Sequence, residues 1–400
     1  MKVGVLFDSL GPYHIARLNA AAKVLNVVAI ELAPTSGEYN WMRDGQSARF
    51  ELHSLFPSRN DVDVALLPEQ LNLLLTRCAP NVIAIPGWTG RLAFASVAWG
   101  VHNNVPMIVM SESTHWDFPR RWVKEAVKKW YLKFFSAAIV GGQPHQEYIE
   151  SLGVGPARIS HGYDVVDNDY FRDSTQQLKV RGRDVADLPT KRNFFLASAR
   201  FIPKKNLVVL LHAFSEYRKL HASLDRDSLP WDLIILGDGP LRPSLEVLAQ
   251  QLGIHQSLFM PGFQQYDSLP KYFAFASAFL HASTTEQWGL VVNEAMASGL
   301  PVIVSERCGC ARDLVESGSN GFVFPPNDPS KLADLMLLVT SDSVDREAMG
   351  RSSLKRISRW SPDTFGCALL NASQSAVKQG CPNLGIFDKL FLSAICNRGS

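Results

Sequence analysis

Two carboxylates, Glu286 and Glu294, stand eight positions apart in the stretch EQWGLVVNEAMASGLPVIVSERCGC, with Gly289 between them. A carboxylate just before a glycine turn and another in the first turns of a helix suggest a site, and the spacing alone does not say which. Gly289 and Leu290 open the helix that carries Glu294. Their amides lack intrahelical partners, and the positive helix end favours an anion. A glycine there admits close backbone approach that a Cβ would block. Upstream, SARFIPKKN (198–206) places Arg200 and Lys205 after a strand-like run. In the amino-terminal half the chemistry-bearing positions also follow apolar runs. Gly11 and His14 lie in FDSLGPYH, Trp88 in PGWTG, and Glu112 and His115 in SESTHWD.

The elements that must hold these residues alternate. Short apolar, β-branched runs (KVGVLF, NVVAIEL, DVALL, NVIAIPG, VPMIVM, SAAIVGG) are separated by helix-length segments. After a polar stretch a second series follows: FFLASAR, WDLIILGDG, SLFMPGF, SAFLHAS, LPVIVS and NGFVF. Continuous apolar strands with helices between them indicate parallel sheets buried on both faces. The fold class is therefore α/β, with two Rossmann-like domains expected to face each other across a cleft, and ligands bind such sheets beyond the carboxyl ends of the strands. The expected divisions are a first domain over 1–165, a linker over 166–190, a second domain over 191–358, and a crossover helix and tail over 359–400. The loops at 198–206, 237–240, 261–263, 283–289 and 305–310 should line one wall of the cleft.

In that order, SARFIPKKNLVVLLHAF, LIILGDGPLRPSLEVLAQQLGI, LFMPGF and HASTTEQWGLVVNEAMASGLPVIVSERCGCARDLVESGSNGFVFPPNDPSKLADLM resemble the retaining glycosyltransferases of family 4, which have the GT-B fold. The resemblance covers roughly 190–340. It implies that Glu286 faces the donor sugar and Glu294 the nucleotide ribose. Arg200, Lys205 and the amides of Gly289 and Leu290 would hold the donor diphosphate, and Gly262 and Phe263 would border the base. It further implies a nucleoside-diphosphate sugar as donor, most commonly a UDP-sugar, transfer to an acceptor hydroxyl with retention at the anomeric carbon, and no bound metal or other cofactor. SRWSPDTFGCALLNASQSAV looks like the family's crossover helix. Ala282, Asp313 and Cys310 depart from the family pattern and leave the donor sugar open. Gly237-Asp-Gly-Pro240 alone reads as an ordinary strand-to-helix turn.

The amino-terminal half matches less closely. Where the family usually has a glycine-rich loop after the first strand, this chain has the single Gly11, with His14 at the helix start. After VPMIVM, counting favours Glu112 and residue identity favours His115 as the group near the transferred sugar. Either can serve as base toward an acceptor hydroxyl, since a base needs hydrogen-bond reach and a suitable pKa. Trp88 suits stacking on an acceptor ring or packing in the core. In RRWVKEAVKKWYLKFF (120–135) six cations interleave with aromatic residues. The pattern fits a helix lying on anionic lipid, and it equally fits a helix packing its aromatic side on the first sheet.

A formal net charge of +2 over 400 residues implies no general affinity for nucleic acid. The amino terminus has only seven residues before Asp8, and no window reaches the eighteen or so apolar residues of a spanning helix. The expectation is a cytoplasmic protein, at the membrane face if 120–135 binds lipid. The cysteines 78, 308, 310, 367, 381 and 396 are scattered without paired spacing, as reduced thiols are. Asp61, Asp63 and the acids of 164–169 read as loop and linker chemistry. Two rival functions stand beside transfer: a sugar-nucleotide epimerase on the same scaffold, and an inactive nucleotide-sugar-binding partner. A dehydrogenase is disfavoured because neither half has GxGxxG after its first strand.

Overall fold

The computed structural model describes residues 1–34, 48–224, 228–388 and 392. The chain divides into two units, Met1–Val166 with Trp360–Ser400, and Asp167–Arg359.

The first unit is built on a parallel sheet of β1 (Lys2–Phe7), β2 (Asn26–Glu31), β3 (Glu51–Ser54), β4 (Val82–Pro86), β5 (Met107–Ser111), β6 (Ala137–Val140) and β7 (Ile159–His161). Their spatial order is β3-β2-β1-β4-β5-β6-β7. Alternate residues enter different cores. Val3, Val5 and Phe7 join one cluster with Ala29, Ile108 and Phe365, whereas Leu6 joins another with Val28, Ile30 and Ile85. Both faces are thus covered, which is why these strands read as unbroken apolar runs. The helix Pro362–Gln379 packs on the helix Pro12–Ala21 and on β6 and β7.

The second unit holds β8 (Phe194–Ser198), β9 (Asp232–Leu236), β10 (Leu258–Gly262), β11 (Ala278–His281), β12 (Val302–Ser305) and β13 (Gly321–Phe324), in the order β10-β9-β8-β11-β12-β13. All pairings are parallel. The strand order reverses between β8 and β11, which puts the loops after these two parallel strands side by side, the place where open α/β sheets bind ligands.

Two expectations need correction. DVALL is not a strand. A single helical turn ends at Asp61, and Leu67 begins the helix Leu67–Cys78 with Pro68 in its first turn, where the missing amide is harmless. The true edge strand is β3, ELHS, which is largely exposed and so carries no apolar run. The proposed linker 166–190 is mostly the helix Asn168–Arg181, packed on the helices Leu269–Phe275 and Leu290–Ala297 of the second unit. Asp167 caps it, accepting the Tyr170 amide at 3.0 Å. It anchors through Phe171, which meets Tyr266 and Phe273 edge-on at 5.5 and 5.7 Å. Among the tail residues, 389–391 and 393–400, Cys396 included, lie outside the described residues. Cys78, Cys308, Cys310, Cys367 and Cys381 are free thiols.

Candidate functional site

The loops after β8, β11 and β12 are fastened to one another by backbone. The Glu286 amide donates to the Arg307 carbonyl at 3.1 Å, and the Gly309 amide donates to the Glu286 carbonyl at 3.0 Å. From the β8 side, the Thr284 amide donates to the Lys204 carbonyl at 2.9 Å, while Asn206 Nδ2 donates to the carbonyls of Ala282 and Pro326 at 3.0 and 2.8 Å. These bonds turn both lysines of the short helical turn Pro203–Lys205 onto Glu286. Lys205 Nζ makes an ion pair with Glu286 Oε2, and Lys204 Nζ lies 3.7 Å from Oε1. Ser283 Oγ donates to Glu286 Oε2 at 3.4 Å, and His281 Nε2 lies 3.7 Å from the same oxygen.

Burial alone would raise the Glu286 carboxyl, but the His281 contact and the ammonium groups of Lys205 and Lys204 outweigh it and hold the acid far below the carboxylate range. Glu286 is therefore a fixed acceptor. His281 is buried at the end of β11, and that burial lowers its pKa against the pull of Glu286, leaving a neutral imidazole at pH 7. Both groups have depressed folded-state pKa values, so each contributes stability above its unfolded value that is lost as pH falls. The loss begins near 6.5 for His281 and near 4.5 for Glu286. The urea midpoint of a His281→Gln variant, measured from pH 7 to 5, is expected to fall less than that of the unaltered chain. Parallel curves would show that His281 is not the group that titrates.

Gly289 caps the helix Leu290–Ala297 with φ +100°, a left-handed conformation. A Cβ built there would meet Glu286 Cγ and His281 Nε2 at 3.5 Å and Cys310 Sγ at 3.7 Å. The helix start, the carboxylate and the imidazole thus share one small space. Burial pushes the Cys308 and Cys310 thiols well up, so they line it as neutral apolar groups. Glu294 is buried one helical turn further on. Its charge helps to raise the Tyr266 hydroxyl, which burial raises most. Tyr266 stacks on Tyr170 at 4.7 Å.

Arg200 is half-buried on the loop after β8. That loop is tied to the one after β9: the Phe201 amide donates to the Asp238 carbonyl at 2.8 Å, and the Leu241 amide to the Phe201 carbonyl at 3.1 Å. The Gly237-Asp-Gly-Pro240 turn is therefore a support for the Arg200 loop. The Gly237 amide continues the chain of ties to the Gly262 carbonyl at 2.9 Å, and Phe263 follows as an exposed ring. In this way the structure brings Glu286, Lys205, Gly289 and Leu290 together, with Arg200 and Gly262 on adjoining loops. His281, Lys204 and Ser283 are the residues that sequence reasoning missed.

The first-unit residues divide into two groups. Glu112 directly follows β5, and its charge reaches Asp164, which is 1% exposed. Burial first, and Glu112 second, push the Asp164 carboxyl well up, against Arg17 at 3.9 Å. Arg17 is itself buried, with Nε donating to the Val165 carbonyl at 3.1 Å and its guanidinium over Tyr163. His115 is exposed and meets Tyr148 edge-on at 5.1 Å, so Glu112 and His115 belong to different environments. His14 accepts the Gly11 amide on Nδ1 at 3.0 Å and lies 4.5 Å from the Phe7 ring, the geometry of a helix cap. Trp88 packs against the core and meets Tyr148 edge-on.

A separate cluster was not foreseen. Glu51 and His53, two apart on β3, converge with Cys78 so that an oxygen, a nitrogen and a sulfur lie within 4.8 Å of one another. Lys2 Nζ lies 3.9 Å from Glu51, a charge that opposes a cation there.

Residues 181–356 match the family model described as "Glycosyl transferases group 1". The chain is 26% identical over 199 residues to an alpha-D-kanosaminyltransferase of Streptomyces kanamyceticus, covering 50% of this chain and 49% of that one. It is 35% identical over 131 residues to an alpha-monoglucosyldiacylglycerol synthase of Acholeplasma laidlawii, covering 32% and 31%. It spans about half or less of these curated relatives. The crystal structure of Anabaena Alr3699/HepE in complex with UDP superposes with a TM-score of 0.70 at 18% identity, covering 94% of this chain and 100% of that one. That likeness speaks for the fold: two Rossmann-like units, as in the GT-B fold. Residues 181–356 thus carry the likeness to the group 1 glycosyltransferases, and the chain as a whole has the likeness in fold to the Anabaena protein.

Proposed function

We propose that the chain is a retaining glycosyltransferase that takes a UDP-sugar as donor and moves the sugar to an acceptor hydroxyl. The observation that carries this reading is the meeting of a fixed carboxylate, two lysines and a helix start within the second unit. The departing nucleoside diphosphate gains negative charge as the glycosidic bond breaks, and Arg200, Lys205 and the amides of Gly289 and Leu290 are suited to take up that charge. Glu286, held ionised, accepts hydrogen bonds from sugar hydroxyls and orients the ring. Glu294 accepts from the ribose. The acceptor attacks from the face that the diphosphate leaves, which retains the configuration. The UDP complex of the structurally similar Anabaena protein supports uridine as the base. For the proton of the acceptor we assign Glu112, which directly follows β5 and is held by a side-chain hydrogen bond with the buried Asp164.

Donor hydrolysis, with water in place of the acceptor, tests this without knowledge of the acceptor. Incubation with α-linked UDP-sugars, followed by NMR, is expected to give UDP and a free sugar whose first-formed anomer is α. A β anomer contradicts retention. Conversion of the donor to its epimer with no UDP released favours the epimerase, and no turnover with intact binding favours the inactive partner. In the same assay Glu112→Gln is expected to slow the reaction about 100-fold or more. His115→Gln should stay within a few-fold of the unaltered protein, and the reverse result would assign the base to His115.

A further inference from the structure

We propose that the helix Trp122–Leu132, the loop before it and the segment Ile386–Asp388 form a surface that docks the first unit onto anionic lipid. The sequence offered packing and lipid contact as alternatives for 120–135, and the structure divides the residues between them. Tyr131, Leu132, Phe134 and Phe135 are buried in the first core. The other apolar side chains stand in solvent: Trp122 is 83% exposed, Phe118 71%, Val123 52% and Val127 43%. Residues 122, 126 and 130 run along one side of the helix, flanked by 123 and 127. At the far end Trp130 Nε1 donates to Asp388 Oδ1 at 2.9 Å. That bond sets Ile386 and Phe387, 70% and 83% exposed, at the end of the same stripe.

The charges around the stripe sort by sign. Arg120 and Lys128 turn inward, donating to the Tyr148 hydroxyl, each at 2.7 Å, and pairing with Glu125. Glu125 is the one acid between Phe118 and Phe135, and it is committed to these partners. Arg121, Lys124, Lys129 and Lys133 remain exposed, so the outward charge of the segment is positive throughout. Bulky aromatic and β-branched side chains ringed by exposed cations match the headgroup region of an anionic bilayer, where rings enter the acyl boundary and cations meet phosphates. A second copy of the chain would bring the same positive ring against itself. No helix among the described residues is long and apolar enough to cross a membrane, so the contact is peripheral.

Co-sedimentation with vesicles tests the assignment. The full chain is expected to pellet with vesicles of phosphatidylcholine mixed with phosphatidylglycerol, to stay in solution with phosphatidylcholine alone, and to be released by salt. Trp122→Glu with Phe387→Glu, and separately Lys124→Glu with Lys129→Glu, should each weaken binding more than about tenfold. These positions are exposed, so the melting temperature should not change, which separates lost docking from lost folding. Absence of binding to either vesicle overturns the proposal. So does equal binding to both vesicle types, or a lipid-free dimer, seen by light scattering, that Trp122→Glu dissociates.

Discussion

Replacing Lys205 with methionine is expected to lower the rate of UDP release from the donor about 100- to 1,000-fold, the usual effect of losing one preorganised donor to a developing anion. The methionine keeps the length of the side chain and removes its charge. Lys205 is poorly exposed and holds an ion pair with Glu286, so its ammonium is fixed before a diphosphate arrives. Its loss acts twice, since the leaving group loses a cation and Glu286 loses the main charge that keeps it ionised. Lys204 is the internal control. Its side chain is 38% exposed and lies 3.7 Å from the carboxylate, and screening by water weakens such a contact. Lys204→Met should therefore cost less than about tenfold. Equal losses in the two variants would mean that the lysines act through general positive charge, and a small loss in Lys205→Met would remove it from the site.

The second large effect is structural. In Gly237→Ala the new Cβ would stand 2.0 Å from the Ala199 carbonyl oxygen, at φ +114°. A side chain in that conformation costs about 1–3 kcal/mol before any clash is counted. The clash is with backbone of the loop that carries Arg200, so relief requires that loop to move. Gly253→Ala isolates the first term, because Gly253 has φ +68° and nothing within 4 Å of its Cβ position. Urea unfolding should place Gly237→Ala well below Gly253→Ala, with nucleotide binding impaired in the first and kept in the second. Equal midpoints would show that the two loops are not held together as described.

Much of the fold is legible in the sequence because both sheets are covered on both faces, which leaves strands such as VGVLF and VIVS with no polar interruption. The same signal fails at the sheet margins. β3 is an edge strand with Glu51, Leu52 and Ser54 exposed, so its residues do not announce a core. DVALL has the right composition but runs into Pro68, and the apolar run belongs to a helix start. The helix Asn168–Arg181 escaped because Phe171 is its lone buried large apolar residue, too little for a periodic pattern. At the site, Glu286, Gly289 and Glu294 are close in sequence and therefore readable as a group. His281 is not, since a histidine ending an apolar strand looks like core, and its position beside Glu286 depends on the loop after β11 folding back. Of the two adjacent lysines, the resemblance singles out Lys205 and leaves Lys204 without a role. Only the turn Pro203–Lys205 and its tie to Thr284 show that both reach the same carboxylate.

The most direct test of the donor site is thermal unfolding of the unaltered chain and of the Arg200→Ala/Lys205→Ala double variant in the presence of UDP, GDP or ADP. A ligand at about one hundred times its dissociation constant adds roughly 2.7 kcal/mol to the folded state. UDP is expected to raise the melting temperature of the unaltered chain and to leave the double variant unmoved. Stabilisation of neither protein by any of the three nucleotides, or equal stabilisation of both by UDP, would contradict it.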